Sequence, residues 1–324
     1  MIKLHYLKET SSTMANIPID LILNDEFMTT IWSFYETSLT PRTRREYFGV
    51  LKDYVKTTNN NPLYLTKEST DLYYKYIESR LKENRLSYTT ALMRISVMRS
   101  VCEYIRYHQN SRGLNYSNYF ADIILTDVDK TIKNDRLPSE SELDAILLMA
   151  NEADDDKAFI IFSLVVKCGL TSSEICSLNL EYIETDPEEF LYIHFPAKNR
   201  TARTIKLPHD VGKLLNQYIE KHEIFNGAIF INKRKNRLKI RDAERLLNKY
   251  IERGIEEKKI EKRFTLQMMR HAAFKYMLKG GASEDQVARY GGITTKWMSR
   301  YRQVAASEIT SEAVDYSIIN ISEK

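Results

Sequence analysis

The sequence predicts a mainly α-helical chain of two domains, the first all helical and the second helical with a small antiparallel sheet. Three observations lead there. Proline and glycine are scarce, at 7 and 10 in 324 residues, too few for a loop-rich β-sandwich. Apolar residues recur at helical spacing through most of the chain. Only two short stretches, 190–195 and 201–207, alternate in the manner of strands, and they read as one hairpin.

Residues 1–20 have few periodic apolar positions and read as an N-terminal arm. The first domain is placed at 21–126. Within it Ile31, Trp32, Phe34 and Tyr35 form a short amphipathic turn. Thr40-Pro41 caps and opens a helix, since proline suits a first turn, and Tyr47, Val50, Leu51 and Tyr54 share one face of it. Asn59-Asn-Asn-Pro62 stops that pattern. A third helix starts at Thr66 and bears Leu72, Tyr73, Tyr76 and Ile77; a fourth follows Ser87 and bears Leu92, Ile95, Met98 and Val101. Charged residues with few core positions mark 127–138 as a linker.

The second domain spans 139–324. Ser139-Glu-Ser-Glu142 is a capped helix start, and 158–168 is apolar enough to be a buried helix. After the hairpin, whose loop holds Lys198, Asn199 and Arg200, helices are predicted over 211–223, 241–254 and 266–279. Gly280-Gly281 punctuates; 283–289 and 307–319 are short helices, and 294–301 is the segment that leads to Tyr301.

Composition narrows the function classes. Hydrophobic residues make up 43% and charged residues 28%, as in a globular protein. No apolar run reaches the roughly 18 to 20 residues of a membrane span, and no leader-like segment opens the chain, so the cytoplasm is expected. Cys102, Cys168 and Cys176 fall inside apolar helical patterns, which predicts buried thiols with neither disulfide nor zinc spacing. No metal or cofactor is expected. The net charge of +4 and pI near 8.7 suit a nucleic-acid partner only modestly, so the distribution of charge matters more. Arg42, Arg44, Arg45, Arg94 and Arg99 stand among aromatic and hydroxyl side chains in the first half, and Arg241 and Arg245 open a helix in the second. They are read either as solvated helix faces or as a phosphate-tracking surface.

Transfer of a phosphoryl group to a tyrosine hydroxyl needs bidentate cations on the phosphate oxygens. It also needs a proton donor for the leaving oxygen, a task a lysine can perform. Three segments carry residues of this kind: Gly169-Leu-Thr171-Ser-Ser-Glu174-Ile175-Cys-Ser-Leu178; Lys198-Asn-Arg200-Thr-Ala-Arg203; and Gln267-Met-Met-Arg270-His271, followed by Tyr290-Gly291-Gly292 and then Tyr301. Each also has a plainer reading: Tyr301 as a packed side chain, Arg270 as a structural cation, His271 as a satisfied interior histidine, Lys198 as a solvated hairpin tip.

Taken in order, the three segments resemble the phage integrase (tyrosine recombinase) family over about residues 21–305. The resemblance implies a helical, SAM-like core-binding domain followed by a tyrosine-recombinase catalytic domain. It places Lys198, Arg270, His271 and Tyr301 at catalytic positions, Tyr301 as the nucleophile. It also exposes departures: Thr171 stands where the family has its first arginine, Gln267 where it has a histidine, and Gly292 where it has histidine or tryptophan. Losing one charge-stabilising donor of this kind raises a barrier by on the order of 3 kcal/mol. The chain is therefore read as a sequence-specific double-stranded DNA-binding protein on a recombinase scaffold that has lost recombination. It is similar in this respect to the integrase-like repressors of SPβ-type Bacillus prophages, which implies a transcriptional repressor maintaining lysogeny. Residues 307–319 are read either as a helix donated in trans for self-association on DNA or as one packed in cis, and a regulatory peptide or protein partner is left open. The DNA-contacting candidates are Arg42, Arg44, Arg45, Arg94, Arg99, Lys198, Arg200, Arg203, Arg241, Arg245 and Arg270. The alternative is an active, divergent recombinase using Tyr301, with Arg200 or Arg203 replacing the missing cation; a third reading is an architectural protein without sequence preference.

Overall fold

The computed structural model describes residues 23–125, 137–196 and 202–301, so the N-terminal arm, most of the linker, Lys198, Arg200 and the predicted helix at 307–319 lie outside the described residues. The chain divides into two compact units, Met1–Asp129 and Lys130–Lys324.

The regular elements of the first unit's described part are all helical, and 111–125 is turn and coil. It opens with a continuous helical run, α-helical at Asp25–Phe27, π-helical at Met28–Trp32 and α-helical again at Ser33–Ser38. The predicted turn at Ile31–Tyr35 is therefore part of a longer helix. Thr29 and Thr30 return their hydroxyls to the carbonyls of Asp25 and Glu26, the hydroxyl back-bonding that competes with regular helical pairing. Helix α1 (Pro41–Thr58) is capped by the Thr40 hydroxyl and ends at Asn59 in the left-handed region. Helix α2 (Lys67–Lys82) starts at the Thr66–Ser69 capping box, and α3 (Tyr88–Asn110) at Ser87. Their apolar faces meet around Tyr54, Tyr73 and Phe120, whose rings pack edge to face at 5.3 to 6.3 Å.

The second unit begins with α4 (Glu140–Glu152), held by a Ser139–Glu142 capping box. The apolar helix α5 (Asp156–Cys168) is its spine, buried from Ile160 through Val166. A short helix α6 (Ser172–Ser177) leads to a three-stranded antiparallel sheet, β1 (Ile183–Thr185), β2 (Leu191–Phe195) and β3 (Arg203–Lys206), in the order β1-β2-β3. Ile193 pairs with Ile183 on one side and Ile205 on the other. Helices α7 (His209–Lys221), α8 (Ile240–Glu256), α9 (Leu266–Lys279), α10 (Glu284–Gly291) and α11 (Thr295–Met298) follow, and a 3-10 turn, Ser299–Tyr301, ends the described chain. The mainly helical class with a small antiparallel sheet is thus the observed one. The sheet has one strand more than the sequence indicates, because β1 is three residues long and carries no buried–exposed alternation.

All three cysteines are buried and none is in a disulfide; burial pushes the Cys102 and Cys168 thiols up to about 12. Among the described residues, no helix is long and apolar enough to cross a membrane.

Candidate functional site

The motif residues of the second unit converge where α5, α9 and α10 end or begin. Arg270, on α9, is 2% exposed. Its guanidinium donates through Nη1 to the carbonyl of Gly169 and through Nη2 to that of Gly291 at 2.7 Å. Gly169 is the left-handed C-cap of α5, and Gly291 is the last residue of α10. One arginine therefore closes the C-terminal ends of two helices, where unsatisfied carbonyls and the negative end of the macrodipole both favour a cation. Its flat face lies over the Phe274 ring, 4.6 Å from the centroid.

The two glycines make this arrangement possible. A Cβ on Gly169 would fall 2.6 Å from Phe274 Cε1, and one on Gly291 would fall 2.5 Å from Phe274 Cζ. Phe274 sits between two backbones that any side chain would push apart.

Thr171 serves as the N-cap of α6. Its hydroxyl accepts from the Glu174 backbone N–H at 3.1 Å, while Glu174 Oε2 accepts from the Thr171 N–H at 2.8 Å and from its hydroxyl at 2.9 Å. The position where the resemblance sets an arginine thus holds a reciprocal helix cap. The same carboxylate faces both guanidiniums of the site: Arg203 Nη2 lies 2.9 Å from Oε1, and Arg270 Nη1 lies 3.7 Å from Oε2. These side chains are 10%, 2% and 15% exposed for Arg203, Arg270 and Glu174.

Arg203 reaches in from β3. Its guanidinium lies 5.1 Å from the centroid of the Phe195 ring, the residue paired with it across the sheet. Its other end is beside Gly292, the left-handed C-cap of α10, where a Cβ would fall 1.7 Å from Nη1 and 2.7 Å from Cζ. The space of a side chain at position 292 is filled by Arg203.

Tyr301 is fully buried among Phe274, Leu278, Val287 and Met298. Its hydroxyl is 2.5 Å from His271 Nδ1. Burial raises its ionisation well above the ordinary tyrosine value and outweighs the opposing effect of Arg270 and Arg300. Burial, then Arg270 and Arg300, lowers His271 to about 4, so the imidazole is neutral at pH 7. The Gln267 side-chain amide nitrogen lies 3.3 Å from Nε2; an amide nitrogen only donates, so the neutral ring accepts there and turns its Nδ1–H to the Tyr301 hydroxyl. Trp297 stacks on the ring at 5.5 Å. Tyr301 is thus an interior hydroxyl hydrogen-bonded to His271.

The remaining candidates divide by environment. Arg42 and Arg45 are exposed on the first turn of α1, and Arg44, half-buried, donates to the Glu36 carbonyl at 3.0 Å. Arg241 and Arg245 are exposed on the first turns of α8. Two candidates face inward. Arg94 pairs with Asp53 at 2.6 Å, a carboxylate that also accepts from the Tyr73 hydroxyl at 2.9 Å. Arg99 donates to the carbonyls of Phe120 and Ile123 at 3.2 and 2.7 Å, and so ties α3 to the segment after it. Sequence reasoning assigned no role to Glu174, the carboxylate that joins Thr171, Arg203 and Arg270. The Thr-x-x-Glu spacing signals its cap, but nothing local signals its two arginines. Among the described residues no group of histidine, cysteine or acidic side chains is placed to hold a metal ion.

The fold and this convergence of motif glycines, Arg270, His271 and Tyr301 define a helical domain of the integrase type. Residues 138–308 match the model of the phage integrase family, and the chain belongs to that family. Among solved structures it is similar to the Tn1549 transposon integrase in complex with transposon right end DNA, at 14% identity over 86% of this chain and 95% of that one, with a TM-score of 0.64. A lambda integrase dimer bound to a COC′ core site is similar at 15% identity over 90% and 96% of the two chains, TM-score 0.60. A lambda integrase tetramer bound to a Holliday junction is similar at 14% identity over 91% and 78%, TM-score 0.59. At these identities the likeness concerns the fold. No curated protein sequence matches the chain significantly.

Proposed function

We propose that this chain is a sequence-specific double-stranded DNA-binding protein that no longer cuts DNA, acting as a transcriptional repressor that maintains prophage lysogeny in the manner of SPβ-type repressors. The observation that carries the reading is the inward orientation of the family's reactive positions. Arg270 caps two helices, the buried Tyr301 hydroxyl is hydrogen-bonded to His271, and Thr171 is a helix cap. Gln267 adds an amide that cannot become cationic. Charge neutralisation at a scissile phosphate would have to come from side chains that the fold already engages.

DNA as the partner is supported by the similar structures, a transposon integrase with transposon DNA and lambda integrase with a core site or a Holliday junction. On this chain the exposed arginines Arg42, Arg45, Arg241 and Arg245 supply phosphate contacts, which position a protein without reading sequence. The lambda integrase assemblies are a dimer and a tetramer; self-association here is assigned to residues 307–319, and relief of repression to a peptide or protein inducer.

One observation favours a second reading, an active divergent recombinase: Arg203 stands in the side-chain space of Gly292, close to Glu174 and Arg270. A suicide duplex carrying the bound site separates the two. Repression without cleavage predicts site-specific binding and no covalent adduct, with binding kept in Tyr301→Phe. A trapped adduct that disappears in Tyr301→Phe refutes it.

A further inference from the structure

Apart from the cluster around Arg270, the second unit holds a cavity of about 580 Å³ walled by the end of α5, strand β3, α9 and α10. Val166, Ile205, Pro208, Ala273, Met277 and Val287 give it an apolar lining. Its size is that of a small-ligand pocket, about 300 to 1,000 Å³, in which apolar walls are joined by a few placed polar groups.

The charged groups at this cavity are all of one sign. Lys167, Lys206 and Arg289 line it, and no acidic residue is among the lining side chains. Two of the cations are engaged: Lys167 pairs with Asp210 at 2.5 Å, and the Lys206 ammonium lies 3.4 Å from the centroid of the Phe190 ring. Arg289 is exposed, and among the described residues its guanidinium has no ion-pair or hydrogen-bond partner. Gln286 stands three residues before it, on the same face of α10. Its Oε1 accepts from the Ser283 N–H at 2.8 Å, which leaves its amide N–H groups to donate. A guanidinium fork beside an amide donor suits a carboxylate, which takes two parallel hydrogen bonds from arginine.

The same walls disfavour a peptide strand. Strand β3 is an outer strand of the sheet, yet its Lys206 carbonyl already accepts from the Tyr290 hydroxyl of α10 at 3.2 Å. A strand laid along β3 would have to displace that hydroxyl, and its remaining backbone groups would face the apolar lining unpaired. A hydrocarbon chain brings no such groups.

We propose that this cavity binds a small aliphatic monocarboxylate, its hydrocarbon chain against the apolar walls and its carboxylate on Arg289 and Gln286. The site stands apart from the reading of the chain as a DNA-binding protein and holds whether or not that reading does.

The test titrates the full-length chain by calorimetry with octanoate and with 1-octanol, which has the same chain length and no charge. Octanoate should bind saturably at one site per chain, about tenfold more tightly than octanol, the factor a charge-assisted hydrogen bond supplies. Arg289→Met should remove that preference and leave octanol binding unchanged, because Arg289 is exposed and methionine keeps the apolar part of its stem. The Met277 methyl resonance, assigned with Met277→Leu, should move with both ligands, which locates them in the cavity. Absence of saturable octanoate binding, as when another part of the chain fills the cavity, overturns the proposal. So does a preference for the carboxylate that survives Arg289→Met, or a Met277 signal that octanoate leaves in place.

Discussion

Replacing Glu174 by glutamine removes a charge while keeping shape. The amide oxygen can still accept from the Thr171 N–H, so the helix cap is retained and the change isolates the carboxylate's interaction with Arg203 and Arg270. Those three side chains are 10%, 2% and 15% exposed, and breaking a buried ion pair by deleting one partner costs about 3 to 5 kcal/mol. The lower end applies because Arg270 keeps both of its carbonyl partners. A loss of about 3 kcal/mol should lower the melting temperature of a unit of this size by about 6 to 12 °C. Calorimetry of the full-length chain reads this in the transition of the unit Lys130–Lys324. Glu252→Gln is the control: its pair with Arg263, at 3.2 Å, joins side chains 63% and 55% exposed, and such surface pairs contribute about 1 kcal/mol or less. If Glu174→Gln costs no more than that control, the carboxylate is not what holds the two arginines, and the reasoning about this cluster fails.

Two further outcomes follow from the same geometry. Arg94→Ala should destabilise the first unit by about 2 kcal/mol, because it leaves Asp53 without its cation, and should leave the salt slope of DNA binding unchanged. Arg45→Ala should do the reverse, a shallower slope by about 1 and a stability change within about 0.5 kcal/mol; titrations in salt and urea melts check both, and the opposite pattern would return Arg94 to the DNA surface. His271 bears on pH. Its folded-state value of about 4 lies below the ordinary 6.5, so the unfolded chain takes up the proton first. The contribution to stability is complete above pH 6.5 and is lost as pH falls toward 4. The stability difference between wild type and His271→Asn, from urea melts, should shrink by about 2 kcal/mol between pH 7 and 4.5; a constant difference would mean the imidazole is not buried neutral.

How much of this could be read from the chain alone depends on the range of the interaction that decides each feature. Helix starts at Thr40, Thr66, Ser87 and Ser139 were legible because a cap is local: a hydroxyl and an amide three residues on. Strand β1 was not, since three residues with no alternation give periodicity nothing to act on. Arg94 illustrates the longer range. Its surroundings in sequence match a phosphate-tracking helix, and its actual partner, Asp53, is 41 residues away. The site divides in the same way. Thr171, Gln267 and Gly292 can be read as letters, whereas the filling of the space beside Gly292 by Arg203 depends on β3 reaching the end of α10.

Arg270 shows how a motif residue can be required by the fold itself. An arginine whose two terminal nitrogens satisfy the carbonyls of Gly169 and Gly291, above a phenylalanine wedged between the same glycines, is required by the fold whether or not a phosphate is ever bound. Its loss would leave two buried helix ends unsatisfied, at about 1 to 3 kcal/mol for each orphaned group. Selection for folding alone would then preserve Gly169, Phe274, Arg270 and Gly291. Thr171 and Gly292 also have structural roles here: one is a helix cap, and the other leaves the space that Arg203 fills. The presence of Arg270 therefore identifies the scaffold and by itself carries little weight on catalysis.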